Sequence, residues 1–356
     1  MREEMISTEG LGKKVEVSSI PLELKKLWEQ DEASTNASLM NLLVYTEDPT
    51  KLSQNSSVIQ DLTRDNACRA VLIAMDRDSD DVSIDSWITA HCHLTNGRKS
   101  VCSEQVSFLL KGKSLGRLRN TVFSNLNSDL PLVFWWQGEL SDLFEERLYR
   151  LLNRLIIDST SWQDPRKGYQ LLNHARVESR GRLTIQDLAW TRSYHFRLAL
   201  AGLCDDPIAQ NNLNKIEQLQ IIAQSNQKNS ALLLMAWVAA RLDWKLKDSD
   251  GNVFDFETKS GSSVHGVLEF DDQGAPISQL RLQAPDCQLD ISRKRDSKYL
   301  SHSLQSTEHQ IKVRGPADSD NNQGLVASQL SRGGKNSLYL HVLPVFKKIL
   351  DSQHSA

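Results

Sequence analysis

The residues able to do chemistry fall into a few groups, and in each the spacing withholds the chemistry that the residue types suggest. Lys111-Gly112-Lys113-Ser114 looks like the end of a phosphate loop. Such a loop needs a second glycine five residues before Gly112, and this chain has Ser107 there. The segment reads instead as a strand end followed by a solvated, basic helix start. Gly10 and Gly12 do not follow a strand, so they make no dinucleotide-binding turn. His91, Cys92, His93 and Cys102 are metal-ligand types in one neighbourhood, yet no spacing matches a zinc pattern and CxxC is absent. Asp158, at the end of an apolar run, could be a carboxylate at the mouth of a parallel sheet, where ligands bind. The simpler reading is an aspartate that ties its own turn. Arg176, Arg180, Arg182, Arg192 and Arg197 could hold a phosphate or an acidic protein surface, or stand scattered in water. No G-x-S-x-G, HExxH, kinase set or paired carboxylates occurs. The pattern points to binding, with no metal or cofactor expected.

The His/Cys group also carries a question of register. The surrounding residues read as two strands joined at Asn96-Gly97, and a two-residue turn would set Cys102 opposite His91. Ile88, Ala90, Cys92 and Leu94 share a parity, as do Cys102, Val106, Phe108 and Leu110. Placing both sets on one buried face requires a loop with an odd number of residues. A three-residue loop puts Cys92 across from Cys102 and makes them a candidate redox pair; two buried free thiols are the alternative. That register also turns Glu104 toward an apolar face, where it needs a cation, with an arginine the natural choice.

These groups must be positioned by elements that the hydrophobic pattern outlines. An N-terminal helical extension, residues 1–35, has Pro21 in a first helical turn and an apolar stripe of Leu24, Leu27 and Trp28. Strands and helices then alternate: LMNLLVYTED, VIQDLTRDN, CRAVLIAMD, SLGRLRNTVFSNL, LPLVFWW, LFEERLYRLLN and RLIIDS. The strands are almost continuously apolar, which predicts an α/β domain over 36–180 with a mainly parallel sheet and helices on both faces. An α+β domain over 181–356 is expected to follow. It opens with a helix starting at Thr184 with Asp187 three residues on, then a strand (Lys215–Ala223), a buried helix (Ser230–Leu242) and short antiparallel strands. The Gly/Ser/Asn-rich stretch near 314–336 reads as a mobile loop before a last strand and helix.

Composition narrows the partners. A net charge of −3 gives no basic footprint for nucleic acid and no polybasic membrane patch. The apolar run Ala231–Ala240 is too short to span a bilayer. MREEMISTEGLGKK lacks the apolar core of a secretion signal. Five cysteines, an odd number, do not suggest a secreted disulfide scaffold, so a cytoplasmic protein is expected. Eight tryptophans are the more telling feature, because that side chain anchors cores and partner surfaces. On a strand Trp135 and Trp136 face opposite ways, so at most one is exposed. On a helix Trp190 and Arg192 lie about 200° apart, so one could pack while the other meets a partner.

LPLVFWWQGEL, LIIDS, DLAWTR and AWVAARLDW, in this order, resemble the glucose-6-phosphate dehydrogenase assembly protein family, OpcA. LKKLWEQ, LLVYTED, NACRAVLIAMD and SVCSEQVSF agree more weakly, and the resemblance spans about Pro21 to Trp244. It departs after DLAWTR, which continues SYHFR, and at Ser103, where some relatives carry a second cysteine. The resemblance implies a non-catalytic helper that binds glucose-6-phosphate dehydrogenase and favours its active oligomer in the oxidative pentose phosphate pathway. It also implies an association with thiol control, which makes thioredoxin a further candidate partner. Trp136, Asp158, Trp162, Asp187, Trp190 and Arg192 are the residues expected to face the partner or support that surface. The competing reading is a sugar-phosphate-binding enzyme or metabolite sensor that uses the carboxyl ends of the N-terminal sheet strands.

Overall fold

The computed structural model describes residues 6–29, 35–36, 38–95, 98–112, 124–332, 334 and 336–353. The chain forms two compact units and visits them alternately. One takes it as far as Ile157 and again over Leu171–Ile185; the other holds Asp158–Gln170 and the chain from Gln186 onward.

The first unit contains β1 (Lys13–Val15), α1 (Ile20–Glu29), β2 (Thr35–Asn36), β3 (Met40–Thr46), α2 (Leu52–Leu62) and β4 (Cys68–Asp76). Then come β5 (Ser83–Thr95), β6 (Arg98–Lys111), β7 (Leu132–Trp136), α3 (Glu146–Tyr149) and β8 (Arg154–Ile157). Helix α4 (Pro165–Glu178) and β9 (Thr184–Asp187) run across the boundary between the units. Among the described residues these strands make a nine-stranded sheet in the order β1-β5-β6-β4-β3-β7-β8-β9, with β2 beside β6. β3 lies parallel to β4 and β7, β4 to β6, and β7 to β8. β1 with β5 and β5 with β6 are antiparallel. Neighbouring residues on a strand point to opposite faces, and in β7 every residue is buried. Both faces are therefore covered there, and Trp135 and Trp136 are equally hidden. That is why these strands read as unbroken apolar runs.

The hairpin meets its parity requirement in a way the sequence did not announce. Thr95 pairs with Arg98, Asn96-Gly97 lie outside the described residues, and a bulge at His93/Leu94 supplies the odd residue. Cys92 therefore stands opposite Cys102, and His91 opposite Ser103. LFEERLYRLLN yields only the single turn α3, and most of SLGRLRNTVFSNL lies outside the described residues.

The second unit continues with α5 (Leu188–Thr191), α6 (Tyr194–Cys204), α7 (Pro207–Asn212), β10 (Gln218–Ala223) and α8 (Lys228–Arg241). Seven strands follow: β11 (Lys245–Asp250), β12 (Val253–Glu257), β13 (Ser263–Phe270), β14 (Ile277–Ala284), β15 (Cys287–Ser292), β16 (Tyr299–Ser306) and β17 (Gln310–Pro316). The chain closes with α9 (Asn322–Ser331) and α10 (Ser337–Ser352). The sheet order is β11-β12-β13-β10-β14-β15-β16-β17, antiparallel except where β10 meets β13. Helix α8 is buried on nearly every side, as its all-round apolar sequence requires.

Two expectations are corrected here. Thr184 does not start a helix: its amide pairs with the Asn153 carbonyl at 3.0 Å, and the chain stays extended to Asp187. Asp187 is the cap, accepting from the Ala189 amide at 2.9 Å, so the helix begins three residues later. The stretch 314–336 is not a loop before a strand. It contains the end of β17 and all of α9, whose start is capped by Asn321 through the Gly324 amide at 2.8 Å. Helix α9 buries Leu325, Val326, Gln329 and Leu330.

Candidate functional site

Asp158 follows the last residue of β8 and opens a one-turn helix. Its Oδ1 accepts from the Thr160 amide at 3.3 Å and from Thr160 Oγ1 at 2.7 Å, the self-tied turn that its position suggests. Arg192 closes on the same carboxylate with both arms, Nη1 to Oδ1 at 2.9 Å and Nη2 to Oδ2 at 2.7 Å. Nη2 also donates to Asn322 Oδ1 at 2.6 Å, which links the pair to the start of α9. Arg192 Nε is buried without an acceptor. Burial raises the Asp158 pKa, but the guanidinium fork and the Thr160 donors outweigh it and hold the carboxyl below its usual range. The result is a buried, two-point ion pair.

Asp187 is fully buried and has no cation among its hydrogen-bond partners. Its Oδ1 accepts from the Ser159 and Ala189 amides at 3.1 and 2.9 Å. Its Oδ2 accepts from the hydroxyls of Tyr169 and Tyr339 at 2.6 and 3.3 Å. Burial outweighs these donors and pushes the carboxyl above its ordinary value; the negative charge of Asp158 adds to the shift. The two phenols are likewise pushed well above theirs, first by burial and then by Asp187.

Around this centre the aromatic rings are wedged. Trp162 meets Tyr169 edge-on at 5.5 Å, and a Cβ on Gly168 would lie 2.4 Å from the Trp162 ring, so only glycine fits under it. Trp190 packs on Tyr339 at 5.7 Å, and the Arg197 guanidinium lies 3.4 Å from the centre of the Trp190 ring. Arg197 also donates to the Trp190 carbonyl at 2.8 Å. Burial lowers its pKa to about 9, partly offset by Asp318.

All six residues singled out from the sequence are buried, with Asp158 and Arg192 the most exposed at 7%. Of the two roles expected for them, facing a partner or supporting its surface, burial speaks against the first in this conformation. Trp190 and Arg192 do not face opposite ways into core and solvent, because the helix bearing them ends at Thr191 and both are enclosed. Five of the six share the second unit. Trp136 belongs to the first, within 4.5 Å of the Tyr45 ring and 5.8 Å of Phe144, its Nε1 donating to the Glu139 carbonyl at 2.8 Å. The arginine group disperses as well: Arg192 and Arg197 are internal, while Arg176 and Arg182 bond locally to Asn173 and the Ser179 carbonyl.

What the braced centre of the second unit presents outward was missed. Helix α6 buries Phe196, Arg197, Leu200 and Leu203 and turns Tyr194 and Leu198 the other way. Leu198 is 51% exposed, and Arg332 stacks over the Tyr194 ring at 3.6 Å. His195, between them, is fixed by Asp318, which accepts from its amide at 2.9 Å and lies 2.8 Å from Nδ1. The i, i+4 spacing of Tyr194 and Leu198 was the only signal available.

The carboxyl ends of the first unit's strands answer the competing reading. β3 lies between β4 and β7, and the sheet continues in opposite directions on either side, which makes this the switch point where dinucleotides bind in such folds. The residues present do not fit one. The turn after β3 is Glu47-Asp48-Pro49-Thr50-Lys51, without glycine. Asp48 caps it by accepting from the Thr50 amide at 3.1 Å, which places a carboxylate where phosphate would sit. Glu47 accepts from Tyr45 at 2.7 Å and from Arg77 at 2.8 Å; Arg77 also holds Asp142 at 2.8 Å. Ser53 and Ser56 donate to the Glu9 and Gly10 carbonyls, so the N-terminal segment rests on the start of α2.

The remaining candidates have other partners. Gly112 sits at φ +63° and its amide donates to the Asp76 carbonyl at 2.9 Å, while Lys113-Ser114 and the helix start expected there lie outside the described residues. His91 lies 2.9 Å from Gln105, and His93 is 2.9 Å from Thr63 Oγ1. No group of three metal-ligand residues occurs among the described residues. A disulfide joins Cys92 to Cys102. Glu104 finds its arginine in Arg69, 3.0 Å away. Among the described residues no helix is long and apolar enough to cross a membrane.

Residues 59–174 match the family described as glucose-6-phosphate dehydrogenase subunit N-terminal domain, and residues 183–343 match the corresponding C-terminal domain. The chain is 24% identical over 195 residues to the OxPP cycle protein OpcA of a Synechocystis species, covering 54% of this chain and 40% of that protein. It is also 24% identical over 302 residues to that of Synechococcus elongatus, covering 79% and 67%. The matched stretches thus span from well under half to about two thirds of these relatives. A 3-ketoreductase from Actinomadura kijaniata, solved with NADP, superposes with a TM-score of 0.50 at 10% identity, covering 89% of this chain and 97% of that one. That likeness shows the fold.

Proposed function

Because the chain belongs to the OpcA family of glucose-6-phosphate dehydrogenase subunits, we propose that it binds glucose-6-phosphate dehydrogenase and favours its active oligomer, without catalysing a reaction itself. The observation that carries this reading is the pair of family matches, which together run from residue 59 to residue 343 with a break only at 175–182. The acidic, glycine-free switch point supports the non-catalytic half of it, since carboxylates stand where a cofactor's phosphates would need amides. The same feature weighs against the sugar-phosphate enzyme or sensor.

Activation requires tighter binding to the active form of the dehydrogenase than to the inactive form. A tenfold shift needs only about 1.4 kcal/mol of difference, well within the reach of one interface. The contact is placed on α6, where an exposed leucine lies beside a tyrosine capped by an arginine, the composition of interface hot spots. In this arrangement Asp158, Asp187, Trp190 and Arg192 hold α6 and α9 in place without touching the partner. The test is co-elution of the purified chain with glucose-6-phosphate dehydrogenase on a sizing column. A joint peak at higher mass than either protein is expected. Separate peaks across the whole accessible concentration range would remove the proposal.

A further inference from the structure

The eight-stranded sheet of the second unit has one face turned to the core and one turned outward. Leu219, Leu282, Leu289 and Leu304 line the inner face and are buried. On the outer face, register places side chains in continuous cross-strand rows. One row reads Asp248, Asp255, His265, Gln218, Gln283, Gln288, Gln305 and Gln310 from β11 to β17. Five adjacent strands thus present glutamine side by side. The next row reads Asp250, Val253, Val267, Gln220, Arg281, Asp290, Ser303 and Lys312. Charge is graded along these rows. On β11–β13 the exposed acids Asp248, Asp250, Asp255 and Glu269 outnumber the exposed Lys245 and Lys247, the latter paired with Glu257 at 2.9 Å, while Lys312 and Arg314 are exposed on β17 at the opposite edge. In the middle Arg281 and Asp290 neutralise each other at 3.1 Å.

We infer that this face is where a second copy of the chain docks, through a two-fold axis parallel to the strands between β10 and β14. That operation exchanges the two edges, so the acidic edge of each copy lies over the basic edge of the other. Row stays on row. Asp250 then meets the partner copy's Lys312, twice by symmetry, and the glutamines meet one another. Primary amides suit such self-pairing, since each carries both donors and an acceptor. An axis across the strands would instead lay acid on acid. Strands of the two sheets run nearly aligned in this arrangement, the usual geometry for face-to-face packing. Seven strand spacings of about 4.8 Å and six residues of about 3.3 Å give a face of roughly 700 Å², close to the ~800 Å² per partner of a standard interface. A shallow depression between Gln218, Gln220, His265, Glu269 and Arg281 leaves room for the bridging waters that polar interfaces hold.

The test is the solution mass of the full chain by light scattering over a concentration series, with no other protein present. The wild type is expected at twice the chain mass. Asp250→Lys and Lys312→Asp, each placing like charges together at both symmetric contacts, should weaken the dimer by about 100-fold, tenfold per contact. The two combined in one chain should restore it. A wild type that stays monomeric overturns the inference whatever the variants do. So does a dimer unmoved by the single reversals, or one that the double reversal fails to recover when all variants keep the wild-type melting temperature. A monomer that loses dehydrogenase binding on Lys312→Asp would assign the face to that enzyme instead. No dehydrogenase enters the mass measurement, so its outcome is separate from that of the proposed function.

Discussion

Arg192 and Asp158 form a buried, two-point ion pair at the centre of the second unit. Both are about nine-tenths buried and joined by two hydrogen bonds, so removing one partner leaves the other charged and enclosed. Arg192→Ala is expected to cost about 3–5 kcal/mol of unfolding free energy, the range for breaking a buried pair from one side. Chemical denaturation would show it; a loss under 1 kcal/mol would mean the pair is solvated. Asp187 behaves in the opposite sense. Its folded pKa is raised above the unfolded value near 3.9, so its contribution is full below that pH and is lost as pH rises through the folded value. Asp187→Asn cannot ionise. Its stability should therefore decline less between about pH 4 and about pH 8 than that of the wild type. Parallel curves for the two proteins would contradict the assignment.

At the scale of elements, the proposed contact falls on α6. Leu198→Asp sets a charge at the centre of the exposed stripe while leaving the buried side of the helix alone. It should weaken dehydrogenase binding by roughly 2 kcal/mol, about 30-fold, with an unchanged melting temperature, as measured by calorimetric titration. Unaltered affinity would move the contact elsewhere. This helix also marks where sequence reading runs out. Trp190 and Arg192 have the composition of an interface anchor, but a buried brace has the same composition, and only the fold around Tyr339 and Asn322 separates the two. The hairpin was more legible. Side-chain parity demanded an odd residue between Cys92 and Cys102, and a bulge supplies it, although parity alone cannot choose between a bulge and a longer turn. Capping was legible in type but not in position: Asp187 and Thr184 are both acceptable caps, and the backbone bond from Thr184 to Asn153 decides between them.

For the whole molecule, the parallel sheet was readable because apolar runs such as LLVYT and LVFWW leave no polar face, and a strand buried on both sides requires that. The eight-stranded sheet was readable as short alternating runs, but its strand order was not, since order depends on pairings far apart in sequence. The turn after β3 carries no glycine, but nothing in the sequence marked that turn as the switch point. What the structure adds is the set of side chains that occupy the place: Glu47, Asp48, Arg77 and Asp142.

The central claim is that this chain acts on another enzyme and turns over nothing itself. The rate of NADPH formation by a fixed amount of glucose-6-phosphate dehydrogenase, followed as this chain is added, tests it most directly. The rate is expected to rise to a plateau, while the chain alone with glucose 6-phosphate and NADP gives none. A flat titration, or NADPH formed by the chain by itself, would contradict the account.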